Sequence, residues 1–253
     1  MTYKYRIIIK DNLADLSTAG THIFTMTARD SVAKKGHFVA AISGGSTPRL
    51  MHRMLAERSF SSEIPWEKTH IFWVDERCVP ENDPASNYGS AKKDFLDHVT
   101  IPLKQIHYMR GEIHPKDGEL QYQQELIDFF QVKQGEFPVF DLVLLGVGAD
   151  GHTASLFPGH PALNEKERLV VAVKGGSPDV NRLTMTYPVL NHARHLIFLV
   201  SGKDKATIMR ALFEDGHASL PAQRIQPLSG ALTWLLDREA ASSLPDRLTQ
   251  ASQ

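Results

Sequence analysis

The chain has 253 residues, of which 42% are hydrophobic and 23% charged, the proportions of a globular protein with enough apolar material for its own core. A formal net charge of -1 excludes a general electrostatic pull toward nucleic acid or an anionic membrane, so any basic residues used for binding must be local and few. The single cysteine, Cys78, excludes a disulfide within the chain and fits a reducing compartment.

Residues 5–10 read as a first strand. Residues 11–34 read as a helix closed by Gly36 as the glycine just past its end. Residues 37–43 form a short apolar run ending in Gly-Gly, a buried strand. Pro48 follows where a first helical position is expected, and 49–57 reads as a helix. A strand is predicted at 69–75, and Ser86 is placed to cap a helix through residue 97. Residues 116–133 are amphipathic and helical. Residues 140–145 are the most apolar strand, as expected at the centre of a parallel sheet. Further strands are predicted at 169–173, 183–186 and 196–200, a helix at 203–213, and a helical end to 232–241.

Strand, loop and helix in repetition imply an α/β fold with a mostly parallel central sheet. No linker, repeat or low-complexity segment divides the chain. One domain is therefore expected over residues 1–253, with a short polar tail at 247–253. The N-terminal segment has no apolar region of signal-peptide length, and no run of 18 apolar residues occurs. The expectation is a cytoplasmic protein that neither spans nor anchors to a membrane and binds no nucleic acid. In parallel sheets ligands bind at the carboxyl ends of strands. That rule directs attention to the loops after Ser43, Asp75, Leu145, Thr186 and Val200.

The first loop is Ser43-Gly44-Gly45-Ser46-Thr47-Pro48. Glycines let backbone N–H groups approach an anion, the hydroxyls add donors, and a helix N-terminus adds partial positive charge. It lacks the lysine of a nucleotide-triphosphate loop. The second is Asp75-Glu76-Arg77-Cys78-Val79-Pro80, followed by Ser86-Asn87, where three charges appear as an apolar strand ends. Cys78 here reads as a small packed residue rather than a nucleophile.

The third loop contains Gly146, Gly148 and Gly151 in a formal Gly-x-Gly-x-x-Gly. Asp150 would stand where a dinucleotide places its pyrophosphate, and Pro158 and Pro161 would cut short the helix that motif needs. The loop reads instead as one that presents Asp150 and His152, a carboxylate that orients an imidazole for general-base chemistry. The last features are Arg182, in Arg182-Leu183-Thr184-Met185-Thr186, and Lys205, in Ser201-Gly202-Lys203-Asp204-Lys205-Ala206. With the loop at 44–47 they offer a planar fork and a point charge for one phosphate. The twelve histidines show no metal-ligand spacing, so no metal is expected.

In this order the loops resemble the 6-phosphogluconolactonase family, within the larger group that includes glucosamine-6-phosphate isomerase. The resemblance runs from Ser43-Gly-Gly-Ser-Thr-Pro48 and Trp73-Val-Asp-Glu-Arg77 through Phe140 to Gly159, then Arg182 to Thr186, Ser201 to Ala206, and Trp234 with Asp237. It implies a Rossmann-like three-layer α/β/α sandwich. It also implies hydrolysis of 6-phospho-D-glucono-1,5-lactone in the oxidative pentose phosphate pathway, without a cofactor. The implied partner is that sugar-phosphate lactone, and the expected state is a monomer or homodimer.

The resemblance further implies that His152 is the catalytic base, Asp150 its partner and Arg77 a cation at the substrate. Gly44, Gly45, Ser46, Thr47, Asp75, Arg182 and Lys205 are then the substrate and phosphate contacts. The isomerase branch follows its Asp-Gly-His with an Ile-Ala-Phe-Asn-Glu-Pro type of run, whose Glu assists ring opening, and carries Asp-Glu-Tyr. This chain has Thr153-Ala154-Ser155-Leu156-Phe157-Pro158 and Asp75-Glu76-Arg77. One departure from the lactonase pattern is that Pro178 is followed by Asp179 rather than by a second proline.

Overall fold

The computed structural model describes residues 5–214 and 220–249. Strand β1 (Tyr5–Lys10) leads into α1 (Leu13–Lys35). The Asn12 side chain accepts from the Asp15 N–H at 3.0 Å to start this helix, and Gly36 ends it at φ 85°. Then come β2 (Phe38–Ile42), α2 (Ser46–Ala56), α3 (Arg58–Ser61), β3 (Thr69–Trp73) and β4 (Asp75–Arg77). They are followed by α4 (Asn87–Asp94), β5 (Ile106–His107), α5 (Pro115–Phe130) and β6 (Leu142–Leu145). The rest is β7 (Val170–Gly175), β8 (Val180–Met185), α6 (Tyr187–Asn191), β9 (His195–Val200), α7 (Ala206–Glu214), β10 (Ala231–Asp237) and α8 (Asp246–Thr249).

Seven strands form one sheet in the order β1-β10-β9-β6-β2-β3-β5, every neighbouring pair parallel, with helices around it. The order reverses at β2. The chain moves from β2 to β3 and β5 on one side, and returns through β6, β9 and β10 on the other. The loops after β2 and β6 therefore leave adjacent strands in opposite directions and open a crevice at the carboxyl edge. The strands beside it are wholly apolar and buried, Phe38–Ile42 and Leu142–Leu145.

Two expectations fail here. Residues 169–173 and 183–186 do not join the parallel sheet. They lie in β7 and β8, a hairpin that pairs antiparallel with β4 to make a second, three-stranded sheet. The turn at 175–180, rich in glycine and proline, returns the chain directly and leaves no room for a crossover helix. Residues 231–237 are also a strand rather than part of a helical ending. Leu232-Thr-Trp-Leu-Leu236 is apolar on both faces and is buried between β1 and β9, where β-branched and aromatic residues pack well. Only a tight turn follows, with Ala241 N–H donating to Asp237 O.

Smaller differences concern helix starts. Helix α2 begins at Ser46, which puts Pro48 in its first turn but not at the first position. No intrahelical partner is needed there for the missing N–H. Ser86 caps α4 as expected, its hydroxyl accepting from the Gly89 N–H at 2.9 Å. Of the expected polar tail, 247–249 belong to α8 and 250–253 lie outside the described residues.

Candidate active site

The crevice at the sheet reversal is a cleft of about 430 Å³. Its walls include Gly44, Gly45, Ser46, Thr47, Asp75, Arg77, His152, Arg182 and Lys205. Asp150 is not part of the lining and reaches the cleft only through His152. The loop after Thr186, expected at this edge, is elsewhere. Thr186 is buried and donates to Arg168 O, because β8 belongs to the small sheet.

The 43–47 loop turns sharply where β2 ends. Gly45 has φ 102°, and α2 starts at the next residue, so the N-terminus of that helix borders the cleft. Gly44 is close-packed: a Cβ there would stand 1.8 Å from Asn87 Oδ1.

The small sheet supplies the guanidinium groups. Arg77 on β4 and Arg182 on β8 are direct partners in antiparallel register, so their side chains leave the same face. Arg77 Nη1 donates to Ala85 O (2.6 Å) and Asn87 Oδ1 (2.7 Å). Arg182 is buried, donates from Nε to Gly175 O at 2.9 Å, and lies over the Phe157 ring at 5.5 Å. Burial, and then the like charge of Arg77, pull its pKa below the ordinary arginine value.

Two buried acids stand beside these cations. Asp75 accepts from Ser155 Oγ at 2.6 Å. Glu76 accepts from the N–H groups of Arg77, Asn87 and Tyr88 at 2.7–2.8 Å and from Ser86 Oγ at 3.2 Å. Burial raises the Glu76 carboxyl to about 7, against the pull of those three N–H groups.

The side of the cleft that carries His152 is built from glycine. Gly148 N–H donates to His152 O at 2.8 Å, and Gly151 turns the loop at φ 81°. His152 Nδ1 lies 2.5 Å from Asp150 Oδ1, and the same oxygen accepts from the His152 backbone N–H at 3.1 Å. The carboxylate thus accepts a hydrogen bond from Nδ1–H and leaves Nε2 as the free acceptor. Partial burial works to raise the Asp150 carboxyl. The His152 N–H, the imidazole charge and its ring bond outweigh that and hold it below its usual value. A Cβ on Gly148 would stand 2.1 Å from His152 Nδ1, so only glycine leaves the ring its place.

A family model described as glucosamine-6-phosphate isomerases/6-phosphogluconolactonase matches residues 11–234. The chain belongs to this family. Among its relatives is the 6-phosphogluconolactonase of Synechocystis sp., 44% identical over 218 residues that cover 85% of this chain and 88% of the relative. The solved 6-phosphogluconolactonase of Trypanosoma brucei superimposes with a TM-score of 0.86 at 26% identity, covering 96% of this chain and 100% of that one. That of Trypanosoma cruzi gives 0.85 at 29% identity, covering 96% and 98%.

Within the family frame, the structure adds residues that the sequence did not single out. Asn87 lines the cleft and ties Arg77 to Asp75, its Nδ2 donating to Asp75 O at 2.9 Å. Ser155 joins the run after His152 to Asp75, 80 residues earlier in sequence. The Phe157 ring stands 4.8 Å from the His152 ring and separates it from Arg182. Each lies inside a stretch that had drawn attention, but no spacing pattern marks the contact it makes. Cys78 is half-buried, and burial with the charge of Glu76 pushes its thiol up to about 11, which makes it a poor nucleophile. Among the described residues no three His, Cys, Asp or Glu side chains converge on a metal position, and no helix is long and apolar enough to cross a membrane.

Proposed function

We propose that this chain hydrolyses 6-phospho-D-glucono-1,5-lactone to 6-phospho-D-gluconate, with His152 as general base. The observation that carries this reading is the Asp150–His152 pair at 2.5 Å on the edge of a cleft rich in phosphate donors. Asp150 fixes the imidazole tautomer, and Nε2 takes a proton from water as the oxygen attacks the lactone carbonyl. Asp150 then stabilises the imidazolium, which returns the proton to the departing ring oxygen. Arg77 and N–H groups of the glycine loops stabilise the oxyanion. Arg182, Lys205 and the 44–47 loop hold the phosphate, so binding energy from the remote end of the substrate positions the carbonyl. A lactone is an activated ester, and the roughly 10²–10⁴-fold expected of a positioned base is a large part of what is required.

Phe157 supports hydrolysis over the isomerase branch. Counted from Asp-Gly-His, it stands where that branch carries its ring-opening Glu, and its ring packs on His152. The deciding experiment is lactone hydrolysis in a pH-stat, corrected for the spontaneous rate, alongside ammonia release from glucosamine 6-phosphate. Enzyme-dependent acid production without ammonia is expected. Ammonia release, or binding of 6-phosphogluconate with no lactone turnover, would sink the reading. The same reading places the protein in the aqueous compartment where the sugar phosphate is made, the cytoplasm.

A further inference from the structure

Asp237 is a buried carboxylate outside the cleft lining, at the end of β10. Leu236 pairs with Val200, so Asp237 falls opposite Ser201, the first residue after β9. Ser201 Oγ donates to Asp237 Oδ2, Gly202 N–H is shared between both carboxylate oxygens at 3.1 Å, and Ala240 N–H donates to Oδ1 at 2.7 Å. Among the described residues the charge is met by dipoles and not by a cation. Burying a carboxylate costs several kcal/mol unless such donors meet it, and an apolar residue would fill the space at lower cost. An acid at this point calls for an explanation in what it holds.

It holds the turn that carries Lys205. Gly202 has φ 100° and opens the single 3₁₀ turn Lys203–Lys205, which closes with Lys205 N–H donating to Gly202 O at 3.1 Å. Asp237 grips the N–H of Gly202, and the carbonyl of the same residue receives Lys205. Lys205 then lines the cleft, with Asp204 Oδ2 3.6 Å from its Nζ. We propose that Asp237 is a positioning residue for phosphate recognition. By fixing Ser201 and Gly202 it sets the place of the Lys205 ammonium, and it touches no substrate itself. This rests on the reading of Lys205 as a phosphate contact.

The test compares Asp237→Asn, Ser201→Ala and Lys205→Ala, assayed with 6-phosphogluconolactone and with unphosphorylated gluconolactone, with Tm measured for each. Asp237→Asn is expected to raise KM for the phosphorylated lactone about fivefold, most of the tenfold that Lys205→Ala gives, with kcat and the unphosphorylated reaction unchanged. Ser201→Ala removes one donor and leaves the backbone bonds, so it gives a smaller shift of the same kind should Asp237→Asn fail to fold. If Asp237→Asn or Ser201→Ala lowers only Tm while Lys205→Ala raises KM, the acid is merely structural and the proposal is overturned. If Lys205→Ala leaves KM unchanged, the phosphate reading of Lys205 fails first and takes this proposal with it.

Discussion

The two sheets contribute to the cleft in different ways. The parallel sheet contributes turns: Gly44 to Thr47 after β2, Gly146 to His152 after β6, and Gly202 to Lys205 after β9. Its functional side chains stand on glycine-built loops and are partly exposed, His152 at 28% and Lys205 at 22%. The antiparallel sheet contributes side chains from strand interiors. Asp75, Glu76 and Arg182 are all buried there, and Arg77 faces Arg182 across the register. Chemistry hung on a loop is separable from folding, and chemistry built into a strand pair is not. Changes on the large sheet's loops should therefore move kinetics alone, while changes in the small sheet should move stability, pH dependence and binding together.

The largest effect expected is on His152. His152→Ala should lower kcat by roughly 10²–10⁴-fold, with KM little changed and stability changed by no more than a surface substitution, about 0.5 kcal/mol. Stopped assays with active-site-matched protein and a thermal melt check both halves. A variant with near-normal kcat removes the base assignment. One that unfolds removes the separability of the loop.

Glu76 probes the other sheet. Its carboxyl keeps its proton to about pH 7 in the folded protein and loses it near 4.5 when unfolded. Between those values the folded state holds the extra proton, so this group's contribution to stability falls as pH rises, by about 3 kcal/mol across the window. His52 and His70, held neutral by burial down to about 4 against an ordinary 6.5, tilt stability the opposite way over much of the same range. Glu76→Gln isolates the acid, because the histidines cancel in the difference. The stability of the variant minus that of the original chain, from urea melts at pH 5, 6, 7 and 8, should climb with pH up to about 7 and then level. A flat difference would mean that the acid is ionised throughout.

The same contrast governs what could be read in the sequence. The parallel sheet was legible because its strands are continuous apolar runs, 38–42 and 142–145, and its loops carry glycines whose positions only a turn explains. The Asp150–His152 pair was legible because two residues of spacing across a glycine suffice to join them. The small sheet was not. Residues 183–186 read as another parallel strand, since a single run of β-branched and apolar residues does not name its partner. The pairing of β8 with β4 joins residues 105 to 109 positions apart, from Arg77 with Arg182 to Asp75 with Thr184. Likewise Asn87, Ser155 and Asp237 act through bonds to distant or backbone groups, which no local pattern marks. Residues 232–241 were misread because a strand edged by short turn residues and a helix end share the same apolar composition.

Arg182 should show the coupling that His152 lacks. Arg182→Ala removes a buried guanidinium from two backbone carbonyls and the Phe157 ring and leaves Asp75 and Glu76 with less opposing charge. Losing charge-assisted bonds of about 1.5–3 kcal/mol each, the variant should melt several degrees lower and bind the phosphorylated lactone at least tenfold more weakly. Calorimetry and KM, measured on the same preparation, would separate the two. A normal Tm with raised KM would place Arg182 with the loop residues and break the contrast between the sheets.

Lys205 sharpens the contrast from the other side with the smallest effect. It is a cation on a loop of the large sheet, and the nearest acid, Asp204 Oδ2, is at 3.6 Å and itself exposed. An ion pair of that kind adds little to stability, so Lys205→Ala should leave Tm unchanged. The phosphate that we propose it contacts would meet a side chain that stays 22% exposed, and a point charge there is worth about 1.4 kcal/mol, a tenfold rise in KM. Added salt should narrow the difference between variant and original chain, because a partly exposed charge is screened over about 10 Å at 0.1 M. A KM difference that persists undiminished to 1 M salt would mean that Lys205 acts by hydrogen bonding in a closed site, as Arg182 does, and that the two sheets meet the phosphate on equal terms.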